Sequence, residues 1–172
     1  VSDRAANCSI TFGAPSKTFN IAGIVSSYCV VPNEELRRPF FEWLDANELS
    51  EPTIFSPIAT IAAFKYGEEW RRQMLEYIEA NIDFVDNFLK TRIPQIKALR
   101  PQASFLIWLN CRALNLDHEA LNRLFVDGAR LALNDGEMFG KEGRGFMRMN
   151  IASPRAVLQD ALERLEKAVK AL

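Results

Sequence analysis

Two basic side chains stand among neighbours that could give them chemistry. Lys17 lies within Gly13-Ala14-Pro15-Ser16-Lys17-Thr18-Phe19-Asn20-Ile21-Ala22-Gly23, a loop punctuated by glycine and proline and delivered by the short apolar run 8–12. The small-residue turn on one side and Phe19, Ile21 and Ala22 on the other predict a partly buried lysine. Burial favours the neutral amine, and a neutral lysine can condense with an aldehyde. The ordinary alternative is a solvated loop lysine. Arg148 is the second candidate, in the middle of the apolar run 145–152. Strand alternation there puts Met147 and Met149 on one face and Phe146, Arg148 and Asn150 on the other. An arginine so placed is either a solvated edge residue or a group held for binding. His118 reads as an exposed helix-start residue. Cys8, Cys29 and Cys111 are scattered without metal-ligand spacing, so no metal site is expected.

Positioning these residues falls to alternating strand-like and helix-like segments. The runs 8–12 and 24–31 read as strands, the second bounded by Pro32 and interior to a sheet. Asn33 caps a helix over 34–47 carrying Leu36, Phe40, Phe41 and Leu44, with Pro39 able to kink it. A second helix over 56–66 has Ile58, Ile61, Ala62 and Phe64 as its buried side. From 68 to 91 runs one long amphipathic helix, ended by Pro94. Short strands follow at 96–99 and 104–109. A helix capped by Asp117 comes next, then a strand at 129–133, a glycine-rich loop over 134–145 and a strand at 146–152. A closing helix follows, with Ser153 as N-cap and Pro154 at its first position. The class is α/β, with a separate mixed lobe after the long helix.

The segment Ala14-Pro15-Ser16-Lys17-Thr18-Phe19-Asn20-Ile21-Ala22-Gly23 resembles the cofactor-lysine segment of fold type I pyridoxal-phosphate enzymes. It is most similar to the cystathionine β-lyase branch (C–S lyases) of the class I/II aminotransferases. A second stretch, 142–155, resembles that family's C-terminal signature. The resemblance spans the chain and implies the C-terminal part of the transferase fold: the end of the large cofactor domain through about residue 80, then the small domain over 81–172. It implies that Lys17 holds pyridoxal 5'-phosphate and moves the substrate proton, and that Arg148 binds the substrate α-carboxylate; Ser16 beside the lysine is either a contact to the cofactor phosphate or a turn-forming serine. A guanidinium fork suits a carboxylate well. Where many related aminotransferases have a phosphate-binding arginine, this chain has Val25. The stretch Trp108-Leu109-Asn110-Cys111-Arg112 more usually carries aspartate where Asn110 stands, and Arg112 is given a structural role.

The implied reaction is β-elimination from a cysteine S-conjugate such as cystathionine. The alternatives are an aminotransferase on the same scaffold, or a non-catalytic regulatory piece. With Val1 so close to the lysine, the resemblance implies a C-terminal half, inactive alone, from a homodimeric, cytoplasmic parent that takes a small amino-acid substrate. Composition agrees with a globular protein: 48% of residues are apolar and 25% charged, enough to build a core. A net charge of −1 gives no footprint for nucleic acid or an anionic membrane.

Overall fold

The computed structural model describes residues 2–172, which divide into two compact units at Met74/Leu75. In the first unit, helix α1 (Asp3–Ala6) is capped by the Ser2 hydroxyl. Strand β1 (Thr11–Gly13) pairs antiparallel with β2 (Tyr28–Val30), Phe12 opposite Cys29. Among the described residues no third strand extends this ribbon. Phe12 and Val30 are exposed in this ribbon.

The strand expected over 24–31 is shorter because its first half is used otherwise. Residues Ala22–Ile24 form a single 3₁₀ turn, and Val25 sits at φ 52°. Left-handed backbone is costly for a β-branched residue and cannot continue a strand. Helix α2 (Glu34–Ala46) is capped by Asn33 and runs through Pro39. Helix α3 (Phe55–Tyr66) corrects the expected buried side. Ile58, Ile61 and Phe64 are 64%, 65% and 54% exposed, and Ala62 is exposed too. The buried residue is Ser56, with half-buried Ala59, Thr60 and Ala63 on the same side. Small and polar residues face inward because that side of α3 binds loop backbone rather than packing a core.

Helix α4 (Glu68–Arg92) runs from the end of the first unit into the second. Glu68 and Glu69 lie in its first turn and Lys90 and Arg92 in its last, the favourable arrangement for the helix dipole. The second unit holds a four-stranded antiparallel sheet in the order β3 (Lys97–Leu99), β4 (Leu106–Asn110), β6 (Phe146–Asn150), β5 (Asn134–Asp135). Ile107, Leu109, Met147 and Met149 fill its buried face. They share the core with Ile82, Val85 and Leu89 of α4, with Leu121 of α5 (His118–Arg123), and with Leu158, Leu162 and Leu165 of α6 (Arg155–Lys170).

Two expectations fail here for physical reasons. Residues 129–133 are not a strand. The chain leaves α5 through a π-turn over Leu124–Gly128, and Arg130 sits at φ 55°. The carbonyls of Ala129 and Arg130 accept from Arg164 Nη1 at 3.0 and 2.8 Å instead of from a neighbouring strand. Ser153 is not the cap of α6. Pro154 occupies that position in extended conformation and the helix begins at Arg155. The N–H of Arg155 is instead taken by the Tyr77 hydroxyl at 2.8 Å, a cap supplied by α4.

Asn81 of α4 is fully buried and completes this junction. Its amide donates to the carbonyls of Ile151 and Ser153 at 2.8 and 3.0 Å, and its oxygen accepts from Arg155 Nε at 2.8 Å. Glu166 ties the same helices lower down, where Lys170 and Arg92 hold its carboxyl below the usual range. Replacing Asn81 by leucine strands two carbonyls and a guanidinium N–H away from water. We expect Asn81→Leu to lower the unfolding free energy of the second unit by about 3 kcal/mol in a denaturant titration.

Candidate functional site

Lys17 and Ser16 belong to the first unit and Arg148 to the second, so each part is built from its own surroundings. The lysine loop is a tight turn: the Phe19 N–H donates to the Pro15 carbonyl at 3.0 Å and the Ile21 N–H to the Ser16 carbonyl at 2.9 Å. Asn20 takes φ 54° to close it. Three anchors fasten the loop to α3. Phe19 meets Phe64 edge-on at 5.4 Å, and a side chain at Gly67 would strike the Phe19 ring. Ser56 Oγ donates to the Ile24 carbonyl at 2.8 Å. Ser26 and Thr60 share a hydroxyl hydrogen bond of 2.7 Å. Pro15 is buried beneath the turn.

Lys17 itself is exposed, a correction to the partly buried setting expected of it. The inward positions of the turn are taken by Pro15 and Phe19, which leaves the lysine on the outer side. Among the described residues no carboxylate pairs with it, so its amine is open to a reactant. Ser16 is half-buried, and its hydroxyl makes no hydrogen bond to another described residue. Val25 is 75% exposed and places hydrocarbon, not charge, at its position.

In the second unit, Arg148 lies on the sheet face opposite Met147 and Met149, as alternation requires. Trp108 is its cross-strand partner on β4, and Asn134 its partner on β5. Arg148 Nη2 donates to Asn134 Oδ1 at 2.8 Å, and the guanidinium lies over the Phe139 ring at 4.5 Å. Trp108 meets Phe139 edge-on at 5.3 Å and Phe146 at 6.1 Å. The group is therefore walled by aromatic rings, and its Nε is buried without a hydrogen-bond partner. A donor left unmade in such a place is costly unless a ligand or water completes it.

The turn that carries Phe139 is held by glycines. Any side chain at Gly136 would collide with the Gly143 carbonyl, and the reverse holds at Gly143. Arg112 crosses beneath, donating from Nε to the Arg144 carbonyl and from Nη2 to the Glu142 carbonyl, both at 3.1 Å, while stacking on Phe146. These contacts tie Arg112 to the backbone of the turn. Sequence reasoning did not find Asn134 and Phe139 as neighbours of Arg148. The signal was the strand pairing of Asn134, which a loop-like stretch of asparagine, aspartate and glycines hides. His118 is half-buried rather than exposed, with Asp135 and Glu137 at its two ring nitrogens.

Cys111 lines a neighbouring cleft but is 2% exposed, and burial pushes its thiol up to about 12. A raised pKa keeps the thiol protonated and unreactive at ordinary pH. Iodoacetamide at mildly alkaline pH should modify exposed Cys8 in the native protein and leave Cys111 untouched until the fold is lost, as peptide mass spectrometry would report.

No protein-family profile matches the chain. It is 37% identical over 169 residues to the cystathionine β-lyase PatB of Bacillus subtilis, a match that covers 98% of this chain and 44% of PatB. It is 30% identical over 158 residues to the protein MalY of Escherichia coli, covering 91% of this chain and 40% of MalY. The crystal structure of cystalysin from Treponema denticola, which contains a pyridoxal 5'-phosphate cofactor, superposes with a TM-score of 0.94 at 35% identity. That match covers 99% of this chain and 43% of cystalysin. The chain thus spans less than half the length of the proteins it matches. By sequence and by fold, the chain is similar to the C-terminal part of pyridoxal-phosphate-dependent aminotransferase-fold proteins, among them relatives named cystathionine β-lyase.

Proposed function

We propose that the complete protein is a pyridoxal-phosphate-dependent carbon–sulfur β-lyase. It would cleave a cysteine S-conjugate such as cystathionine to a thiol, pyruvate and ammonia. The observation that carries this reading is Lys17: an accessible amine, without a carboxylate partner, on a loop fixed to α3 at three points. Relatives named as cystathionine β-lyases support the choice of reaction.

When bound, pyridoxal phosphate supplies an aldehyde and a ring that delocalises the electron pair left at the substrate α-carbon. Lys17 would hold the cofactor through Nζ and, as a free amine, would accept the α-proton at the same atom. The free Ser16 hydroxyl is suited to donate to a phosphate oxygen. Arg148 fixes the α-carboxylate with its planar fork, and the unpartnered Nε shows donor capacity that the chain itself does not use. Trp108 and Phe139 flank the fork with apolar surface, where an ion pair is less screened by water. Val25 provides no cation for the phosphate, which favours the lyase reading over an aminotransferase.

The substrate is a small amino acid, and nucleic acid is not a partner of this near-neutral chain. Among the described residues no helix is long and apolar enough to cross a membrane. The three free cysteines fit a reducing cytoplasm. Exposed apolar residues such as Trp43, Ile54 and Phe55 fit burial within a homodimer of the complete protein.

Incubating the chain with pyridoxal phosphate, reducing with borohydride and digesting should leave a cofactor-sized mass on the peptide containing Lys17. The label should be missing in Lys17→Ala. In the complete protein, pyruvate release from cystathionine should fall at least about a thousandfold in Lys17→Ala. Arg148→Lys should raise KM about tenfold, since a point charge replaces a bidentate fork. Transamination of cystathionine without pyruvate would overturn the lyase reading.

A further inference from the structure

Arg148 depends on the segment 134–139 for two of its neighbours, the Asn134 oxygen and the Phe139 ring. Beyond the two residue pairs of β5, that segment is gripped by His118 from α5. Nε2 of His118 lies 3.2 Å from Asp135 Oδ2, and Nδ1 lies 3.4 Å from Glu137 Oε1. The two carboxylates bracket Gly136, the buried glycine on which the turn packs. Asp135 also starts the turn, its Oδ1 accepting from the Glu137 N–H at 3.0 Å. The imidazole therefore grasps both ends of the short bend that leads to Phe139.

An imidazole facing carboxylates at both nitrogens donates at both only as the imidazolium. In the neutral ring one carboxylate meets a lone pair. Every charged group around it bears on this balance. Asp135 and Glu137 face it from the segment. On its own helix, the Asn122 amide nitrogen lies 3.2 Å from Nε2, where it can donate only to the unprotonated ring and so competes with the imidazolium form; it also donates to Asp135 Oδ2 at 3.3 Å, and Asp117 precedes His118 as the helix cap. Arg144 competes for Glu137, with Nε 3.6 Å from the same Oε1. Arg112 and Lys141 line the adjoining cleft of about 440 Å³.

We infer that His118 is a positioning residue for Arg148, and that its protonation holds the Asn134–Phe139 cradle against the guanidinium. The inference rests on Arg148 being the carboxylate-binding group of the proposed lyase. With the imidazolium present, Asp135 and Glu137 are drawn together and Phe139 covers the fork. On deprotonation Glu137 passes to Arg144, the bend relaxes and the ring leaves the guanidinium. Substrate-carboxylate affinity therefore falls as the imidazolium loses its proton.

The test follows the Trp108 indole and Phe139 ring resonances of the full chain by NMR between about pH 5 and 8. Wild type should show one shared transition, absent in His118→Gln. At a fixed pH of about 5.5, amide exchange at Glu137 and Gly140 should be roughly fivefold faster in His118→Gln, as expected for losing partly exposed ion pairs. Glu137→Gln breaks one arm alone and should also abolish the transition. Resonances that do not move with pH, or a transition that persists in His118→Gln, overturn the inference. In the complete holoenzyme, His118→Gln should raise KM at acid pH with kcat unchanged. A normal KM beside the NMR signature would keep the clamp and overturn the role of Arg148 instead.

Discussion

Strand β6 can offer a charged group to a ligand only because its period is two. Met147 and Met149 are nearly inaccessible, and that burial fixes the register of the strand within the sheet. A slip by one residue would drive Arg148 into the core and bring both methionines out. Arg148 is thus held by the hydrophobic cost of every alternative, not by its own contacts. The same alternation on β4 buries Ile107 and Leu109 and raises Trp108 beside the arginine. Core and candidate site are two sides of one constraint.

The lysine loop solves its positioning differently. It carries two residues at positive φ, Asn20 and Val25, and the second is an unfavourable place for a β-branched side chain. Strain of this kind costs about 1–3 kcal/mol per residue and persists only where neighbours over-determine the backbone. Here the hydroxyls of Ser56 and Thr60 and the ring of Phe64 do so, all from α3. This accounts for the unusual character of that helix. Its inward side is chosen for hydrogen bonding to loop carbonyls, and its large apolar residues point away.

Much of this was legible in the sequence where local rules dominate. The caps at Asn33 and Asp117, the extent of the long helix and the two faces of β6 follow from side-chain type and period alone. Other features were hidden because distant residues satisfy the backbone. Arg164 takes the carbonyls that would have made 129–133 a strand, Ser56 does the same after Ile24, and Tyr77 replaces Ser153 as a cap. The proposed site was read from residue types, Lys17, Ser16 and Arg148. The surroundings of Arg148 were not, because Phe139 and Asn134 reach it through a two-residue strand with no hydrophobic signature. The exposure of Lys17 was misjudged for a related reason: apolar neighbours in sequence can be the ones that occupy the interior.

The hydrogen bonds joining Tyr77 and Asn81 to residues 151–155 also bear on the order in which the second unit is made. They span 70 to 78 positions, about three quarters of that unit. The central strand β6 and the helix α6 both come from its last third, yet the sheet and the buried side of α4 need them. A ribosome releasing this chain therefore exposes α4, β3 and β4 well before their partners exist. The unit closes late, as one cooperative step dominated by distant contacts, and such topologies fold slowly and lean on protection while nascent.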